Sequence, residues 1–258
     1  MNLKKYLLIA FSLFVLGCPG GGISGTGGPE LPPPESMGVI EKPNQQFAQK
    51  RYKGLKLTSH YDHANVIYQI MNDRIFDEMA IQSKLFESIY FVKPQKDQAE
   101  VYHWQATETG LTEIQSVDLQ GKKSSSQVEW LMNILDLNDI EDSLLEGSSN
   151  FGNTKGTWTV NQTKNTKVLE INWEIQNGIL TVTYTNVSGN ENNGDSITLI
   201  LNDSDVQMTY ADLSESKSVI IKWNLTTSAG SVIDPDFIDG TERFWNSNLE
   251  NTNDTDGF

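Results

Sequence analysis

The stretch KVLEINWEIQNGILTVTYT, residues 167–185, decides the fold. Leu169, Ile171, Trp173 and Ile175 alternate with polar neighbours, Asn177-Gly178 follows, and Leu180, Val182 and Tyr184 then alternate with threonines. Alternation of period two on both sides of an Asn-Gly pair predicts a β-hairpin with a two-residue turn. That turn pairs Gln176 with Ile179, which sets Ile175 opposite Leu180, Trp173 opposite Val182 and Ile171 opposite Tyr184. These apolar side chains then land on one face, so the sheet has one oily and one wet side.

The pattern extends in both directions. Upstream, Trp158 and Val160 alternate with polar residues, and a turn at Lys164-Asn165 sets Val160 opposite Leu169 and Trp158 opposite Ile171. Downstream, a turn at Asp203-Ser204 sets Leu201 against Val206, Leu199 against Met208 and Ile197 against Tyr210. Val219, Ile221, Trp223 and Leu225 supply a sixth strand. Nearer the N-terminus, 98–106 and 111–119 read as a hairpin across Thr109-Gly110. Between about His60 and Val92 the period turns helical: Ile67, Ile70, Met71, Ile75, Met79, Leu85, Phe86 and Ile89 follow spacings of three and four, and Pro94 ends the run. Ser126-Gln127-Val128-Glu129 has the form of a capping box, with Val128, Leu131, Met132 and Leu135 at helical spacing behind it. No stretch between the two halves reads as a proper linker, with Gly147-Ser148-Ser149-Asn150 as the candidate seam, and one domain is the preferred reading. The expected fold is α+β: an antiparallel up-and-down β-meander of six to eight strands packed on one long amphipathic helix, with a second short helix.

Residues 1–17 read as a secretion leader, with Lys4 and Lys5 ahead of an apolar run from Tyr6 to Leu16 that is too short to span a bilayer. Its end, Val15-Leu16-Gly17-Cys18, resembles the lipobox of bacterial lipoproteins. The resemblance covers the leader alone and implies cleavage before Cys18, lipidation of that cysteine and a place in the bacterial cell envelope, with the outer membrane favoured because no aspartate follows Cys18. An ordinary secretory leader with a chance cysteine is the alternative reading. Cys18 is the chain's one cysteine, so no disulfide supports the fold. Residues 18–45 are rich in glycine and proline and read as a flexible tether, 46–250 as a single domain and 251–258 as a disordered tail. The net charge of −15 becomes more negative still without Lys4 and Lys5, which argues against nucleic acid and anionic lipid surfaces as partners.

Chemistry-bearing residues are sparse. His60 and His63 sit three apart and with His103 are the chain's three histidines; the expectation is polar residues at a helix start, with metal ligation as the alternative. Asp234, Asp236, Asp239 and Glu242 gather oxygens in a predicted loop, and Asn253 to Gly257 resembles the opening of a calcium loop. Solvated acidic turns are the plainer reading of both, and no cofactor is implied. Trp158, Trp173 and Trp223 fall on the apolar side of the alternation, while Trp130 and Trp245 are undecided between core and an exposed sugar platform. No nucleophile elbow, HExxH or phosphate loop occurs. The leading expectation is a non-enzymatic, lipid-anchored envelope protein that binds a protein partner or an apolar ligand on its sheet and helix. The second is a surface adhesin-like module recognising carbohydrate or host protein; a hydrolase is third.

Overall fold

A strand with one apolar face must find a neighbour on each side and a cover for that face, and this chain meets both needs with strands added one after another. The computed structural model describes residues 28–37, 59–74, 79–107, 109–112, 114–136, 141–163, 166–237 and 240–253. The leader, Cys18, the remainder of the 18–45 segment and residues 254–258 lie outside the described residues. Among the described residues a single 3-10 turn, Pro34–Met37, and two α-helices, His60–Arg74 (α1) and Ala80–Ile89 (α2), precede the strands. The first seven are Gln95–Lys96 (β1), Val101–Ala106 (β2), Ile114–Lys123 (β3), Val128–Asp136 (β4), Glu141–Ser149 (β5), Lys155–Thr163 (β6) and Thr166–Gln176 (β7). Ile179–Asn186 (β8), Ser196–Asn202 (β9), Asp205–Asp212 (β10), Lys217–Asn224 (β11), Gly230–Ile233 (β12), Arg243–Trp245 (β13) and Asn251–Thr252 (β14) follow. All fourteen form one antiparallel sheet in sequence order.

The expected α+β class therefore gives way to a mostly-β architecture with twice the expected strands. The registers read from residues 158–223 are present: Trp173 faces Val182, Ile171 faces Tyr184, Val160 faces Leu169 and Met208 faces Leu199. Asn177 and Gly178 both take positive φ, 55° and 83°, as a type I′ turn requires.

The single long helix is corrected to two shorter ones. A straight rod over residues 60–89 would measure about 45 Å, less than the roughly 60 Å across fourteen strands about 4.8 Å apart, so one rod would leave part of the sheet uncovered. Instead α1 packs on β12 and β13, and α2 packs on β2 and β3. The second short helix is also overturned, since residues 128–136 form β4. Val128, Trp130, Met132 and Ile134 satisfy period two as well as the helical reading, and β3 and β5 pair with the segment on both sides. The apparent seam at 147–150 lies in and just beyond β5.

The inward row that organises the core runs Tyr102, Gly121, Trp130, Gly147, Trp158, Ile171, Tyr184, Ile197, Tyr210, Val219, each opposite the next on successive strands. Glycine alternates with tryptophan because each indole lies over the neighbouring strand's backbone. A Cβ on Gly121 would stand 2.7 Å from the Trp130 ring, and one on Gly147 would strike both the Trp158 ring and the Thr157 carbonyl. Ring centroids of Trp104, Trp130 and Trp158 follow at 5.6 and 6.3 Å in tilted contacts.

Residues 28–37 run along this row as a strap, so the tether reading does not hold for them. Pro29 and Pro32 are buried, and Ser36 and Met37 have no solvent exposure. Prolines bring no N–H to satisfy, which makes an extended segment cheap to bury. The exposed carbonyls find side-chain donors: Asn153 Nδ2 donates to Glu30, the Tyr184 hydroxyl to Glu35 and Ser83 Oγ to Met37. Trp158 Nε1 donates to Ser36 Oγ at 3.2 Å. At the other terminus, Asn251 and Thr252 pair with β13 and so belong to the sheet rather than to a tail.

The sheet tapers at both sides, through ten, six and two residues from β3 to β1 and through eight, four, three and two from β11 to β14. The turns after β1, β3, β5, β7, β9, β11 and β13 share one end, which holds Asn177; the alternate turns share the opposite end, which holds Leu213.

Candidate functional site

The concave side of the sheet is taken up by the chain itself. Met37 of the strap, Met71 of α1 and Leu85, Phe86 and Ile89 of α2 are all without solvent exposure in one apolar cluster with the inward-facing row. These side chains fill the space between the helices and the sheet. Surface for binding is left on the outer face.

That face is built from the residues between the apolar ones. Across its centre run Thr157, Asn172, Thr183, Thr198 and Thr209, directly opposed on β6 to β10. Thr183 and Thr198 hydroxyls lie 3.3 Å apart. Toward β3 to β6 the face deepens into an open groove of about 480 Å³. Gln120, Lys122, Glu129 and Leu131 line one side, and Glu146, Ser148, Thr157 and Thr159 the other. Two local features bend the sheet here: Leu144 is an extra residue between the pairs Met132–Leu145 and Asn133–Ser143, and Gly147 leaves an inward position bare. A bulge of this kind adds a kink and extra twist. The groove offers two carboxylates, one ammonium group and several neutral donors and acceptors around Leu131, a chemistry suited to a polar polypeptide segment carrying cationic side chains. Sequence reasoning missed it because 128–135 matched a helical period and the bulge and Gly147 erase alternation in β5. Thr157 and Thr159, which alternate with Trp158 and Val160, are the part of the groove that the sequence discloses.

The histidines are ties rather than a cluster. The His60 Nδ1–H donates to the Phe244 carbonyl at 2.8 Å, and its backbone N–H donates to Asn251 Oδ1 at 2.7 Å. His63 Nε2 meets Asp234 Oδ2 at 2.7 Å. Both residues fasten α1 to the last strands. His103 stands apart on β2, with Nδ1 2.9 Å from Asp118 Oδ2 and Nε2 3.4 Å from Asp97 Oδ2. Among the described residues no group of three or more His, Cys, Asp or Glu side chains could hold a metal ion.

Burial works against protonation of His103, but the hydrogen bond and charge of Asp118, followed by those of Asp97, outweigh it and hold its pKa above the ordinary value. A raised pKa in the folded state stabilises the protein below the unfolded imidazole's pKa, and that contribution disappears as pH rises through the folded value. His103→Gln is therefore expected to lower the urea midpoint at pH 5.5 and to leave it nearly unchanged at pH 8.5. Equal loss at both pH values would show that the charge of His103 does not contribute.

The acidic loop is occupied by lysines. Lys217 Nζ lies 2.9 Å from Asp236 and 3.1 Å from Glu215, and these hydrogen bonds, Asp236 foremost, hold the ammonium pKa above its ordinary value. Glu242 accepts from Ser231 Oγ at 2.6 Å and from Lys222 Nζ at 2.9 Å. Burial raises its pKa, but these two donors, Ser231 first, outweigh burial and bring the net value down. Asp234 is held by His63, so three of the four predicted calcium oxygen donors face cations or a histidine. Asp239, Asp254 and Asp256 lie outside the described residues, as does the lipidation candidate Cys18.

Both undecided tryptophans are core. Trp130 is 3% exposed and donates Nε1–H to Ser149 Oγ at 2.9 Å; Trp245 is 1% exposed, donates to the Ser228 carbonyl at 2.8 Å and meets the Tyr61 ring edge-on at 5.7 Å. Neither can serve as an exposed platform for a sugar. Comparison of the chain with protein-family models, with curated proteins and with solved structures finds no match.

Proposed function

We propose that this chain is a non-enzymatic, lipid-anchored protein of a bacterial cell envelope, attached through Cys18, which binds a partner protein on the outer face of its sheet. The observation that carries this reading is the division of the sheet's two faces. The inner face is covered by the strap and both helices, while the outer face presents a broad array of threonines and a groove flanked by Glu129 and Glu146. An extended or loop segment with lysine or arginine side chains fits that groove by charge, and the opposed hydroxyls at strand spacing give it hydrogen-bond partners. The leader and the Val15-Leu16-Gly17-Cys18 motif support the anchor.

Two measurements test the two halves. A photo-crosslinking amino acid at Thr159, irradiated in intact cells, is expected to give a discrete adduct of higher mass that is absent when the crosslinker sits at Leu213 on the distant turn. No adduct from Thr159, or the same adduct from both positions, overturns the binding surface. Metabolic labelling with palmitate is expected to mark the wild-type chain and not Cys18→Ser; equal labelling overturns the anchor.

A further inference from the structure

The strap fixes where the polypeptide leaves the domain toward Cys18. Gly28 sits against the rings of Tyr102 and Pro94, and the Glu30 carbonyl is held by Asn153 in the turn between β5 and β6. Both contacts lie at the Asn177 end of the sheet, on its N-terminal strands. Cys18 precedes Gly28 by ten residues, and ten residues reach at most about 35 Å when fully extended. A lipid on Cys18 therefore holds Gly28, at this end of the domain, within about 35 Å of the bilayer surface.

Two turns at this end differ in composition from the rest of an acidic chain, although Asp203, Asp205 and Glu250 stand at the same end on later strands. The turn after β3 reads Lys122-Lys123-Ser124-Ser125-Ser126-Gln127, and the turn after β5 reads Phe151-Gly152-Asn153-Thr154-Lys155. Neither contains an acid. Phe151 is 51% exposed although it is aromatic, and Lys122, Lys123 and Lys155 are exposed at the same end of the sheet. The acids nearest in register are Glu129, opposite Lys122, and Glu174, opposite Lys155; beside them, Glu100 is paired with Lys96 and Asp97 with His103. At the Leu213 end the balance reverses, with Asp212, Glu215, Asp234, Asp236 and Glu242.

We infer that the turns carrying Lys123, Phe151 and Lys155 rest on a phospholipid surface with anionic headgroups, with Phe151 entering the interface between them; this inference rests on lipidation of Cys18. An exposed aromatic ring at the same end as lysines suits the boundary of headgroup and acyl chain, and lysines held at that distance gain from a negative surface potential. The acidic Leu213 end then points away from the surface, and the groove on β3 to β6 stands at its side, open to a partner.

The test uses the full, lipidated chain on vesicles of phosphatidylcholine and phosphatidylglycerol whose acyl chains are brominated. Lipid occupies Cys18, so Phe151→Cys and Leu213→Cys each offer one thiol for an environment-sensitive fluorophore, at exposed positions that leave the core intact. The expected result is a loss and blue shift of emission at position 151 and unchanged emission at position 213. Phosphatidylcholine alone is expected to reduce the loss, and an undiminished loss overturns the assignment of anionic headgroups. A chain that binds the vesicles with equal emission changes at both positions, or none at 151, overturns the inference while the anchor stands. A chain that does not bind them at all overturns the anchor and this inference together.

Discussion

Trp158→Ala is expected to lower the stability of the protein by about 3–5 kcal/mol, the range for truncating a large buried aromatic side chain. The indole is 2% exposed, lies between Gly147 and Ile171 in the central row, contacts Trp130 and holds the strap through Ser36 Oγ. A protein of this size loses roughly 2–4 °C of Tm per kcal/mol, so the variant melts about 10 °C lower. Because the strap loses a donor and the surface it lies on, limited proteolysis within residues 28–37 should accelerate well before the sheet unfolds. Trp158→Phe keeps much of the packing and is expected to fall between the two. A variant that melts within 2 °C of wild type, within the error expected of a small surface change, would show that the row is not the centre of the core.

Gly147→Val has the second large effect, a loss of about 3 kcal/mol from overpacking, read as the shift in urea midpoint. A Cβ at this position meets the Thr157 carbonyl, which is backbone and cannot swing aside, before it meets the Trp158 ring. Gly178→Ala provides the contrast. A Cβ there meets nothing within 4 Å, but φ is 83°, so its cost is the left-handed strain of an L-residue alone, about 1 kcal/mol. If both substitutions cost the same, the glycines of the central row are there for backbone freedom and not to make room for indoles.

The contrast also explains which parts of the fold are legible in the sequence. Residues 167–185 and 197–210 can be read down to the register, because every inward position is apolar, the outward ones are polar except Val168, Ile179 and Ile200, and Asn177-Gly178 fixes the turn. β5 has no such pattern. Its inward positions include Gly147, whose side chain is supplied by the strands on either side, and a bulge at Leu144 shifts the alternation midway. In β4 the outward Leu131 and Leu135 complete a helical stripe, and only the pairing on both sides, which is a tertiary fact, decides for a strand. The strap is opaque for a different reason. Composition rules treat Pro29 to Pro34 as unable to bury an apolar face, yet Pro29 and Pro32 are buried, and the carbonyls of Glu30, Glu35 and Met37 are met by Asn153, Tyr184 and Ser83. The candidate site shares the blindness of β4 and β5, since its groove exists only where these two strands kink.

The tapering margins described above also bear on how copies of the molecule behave when crowded side by side. A broad pleated ribbon with full-length borders would invite a neighbour to zip onto its free amides and carbonyls and so begin a fibre. Here the last strand on either flank is two residues long, and β1 ends in Lys96. An approaching copy finds too short a run to grip, so dense arrays of this protein are expected to stay unpolymerised without a separate capping element.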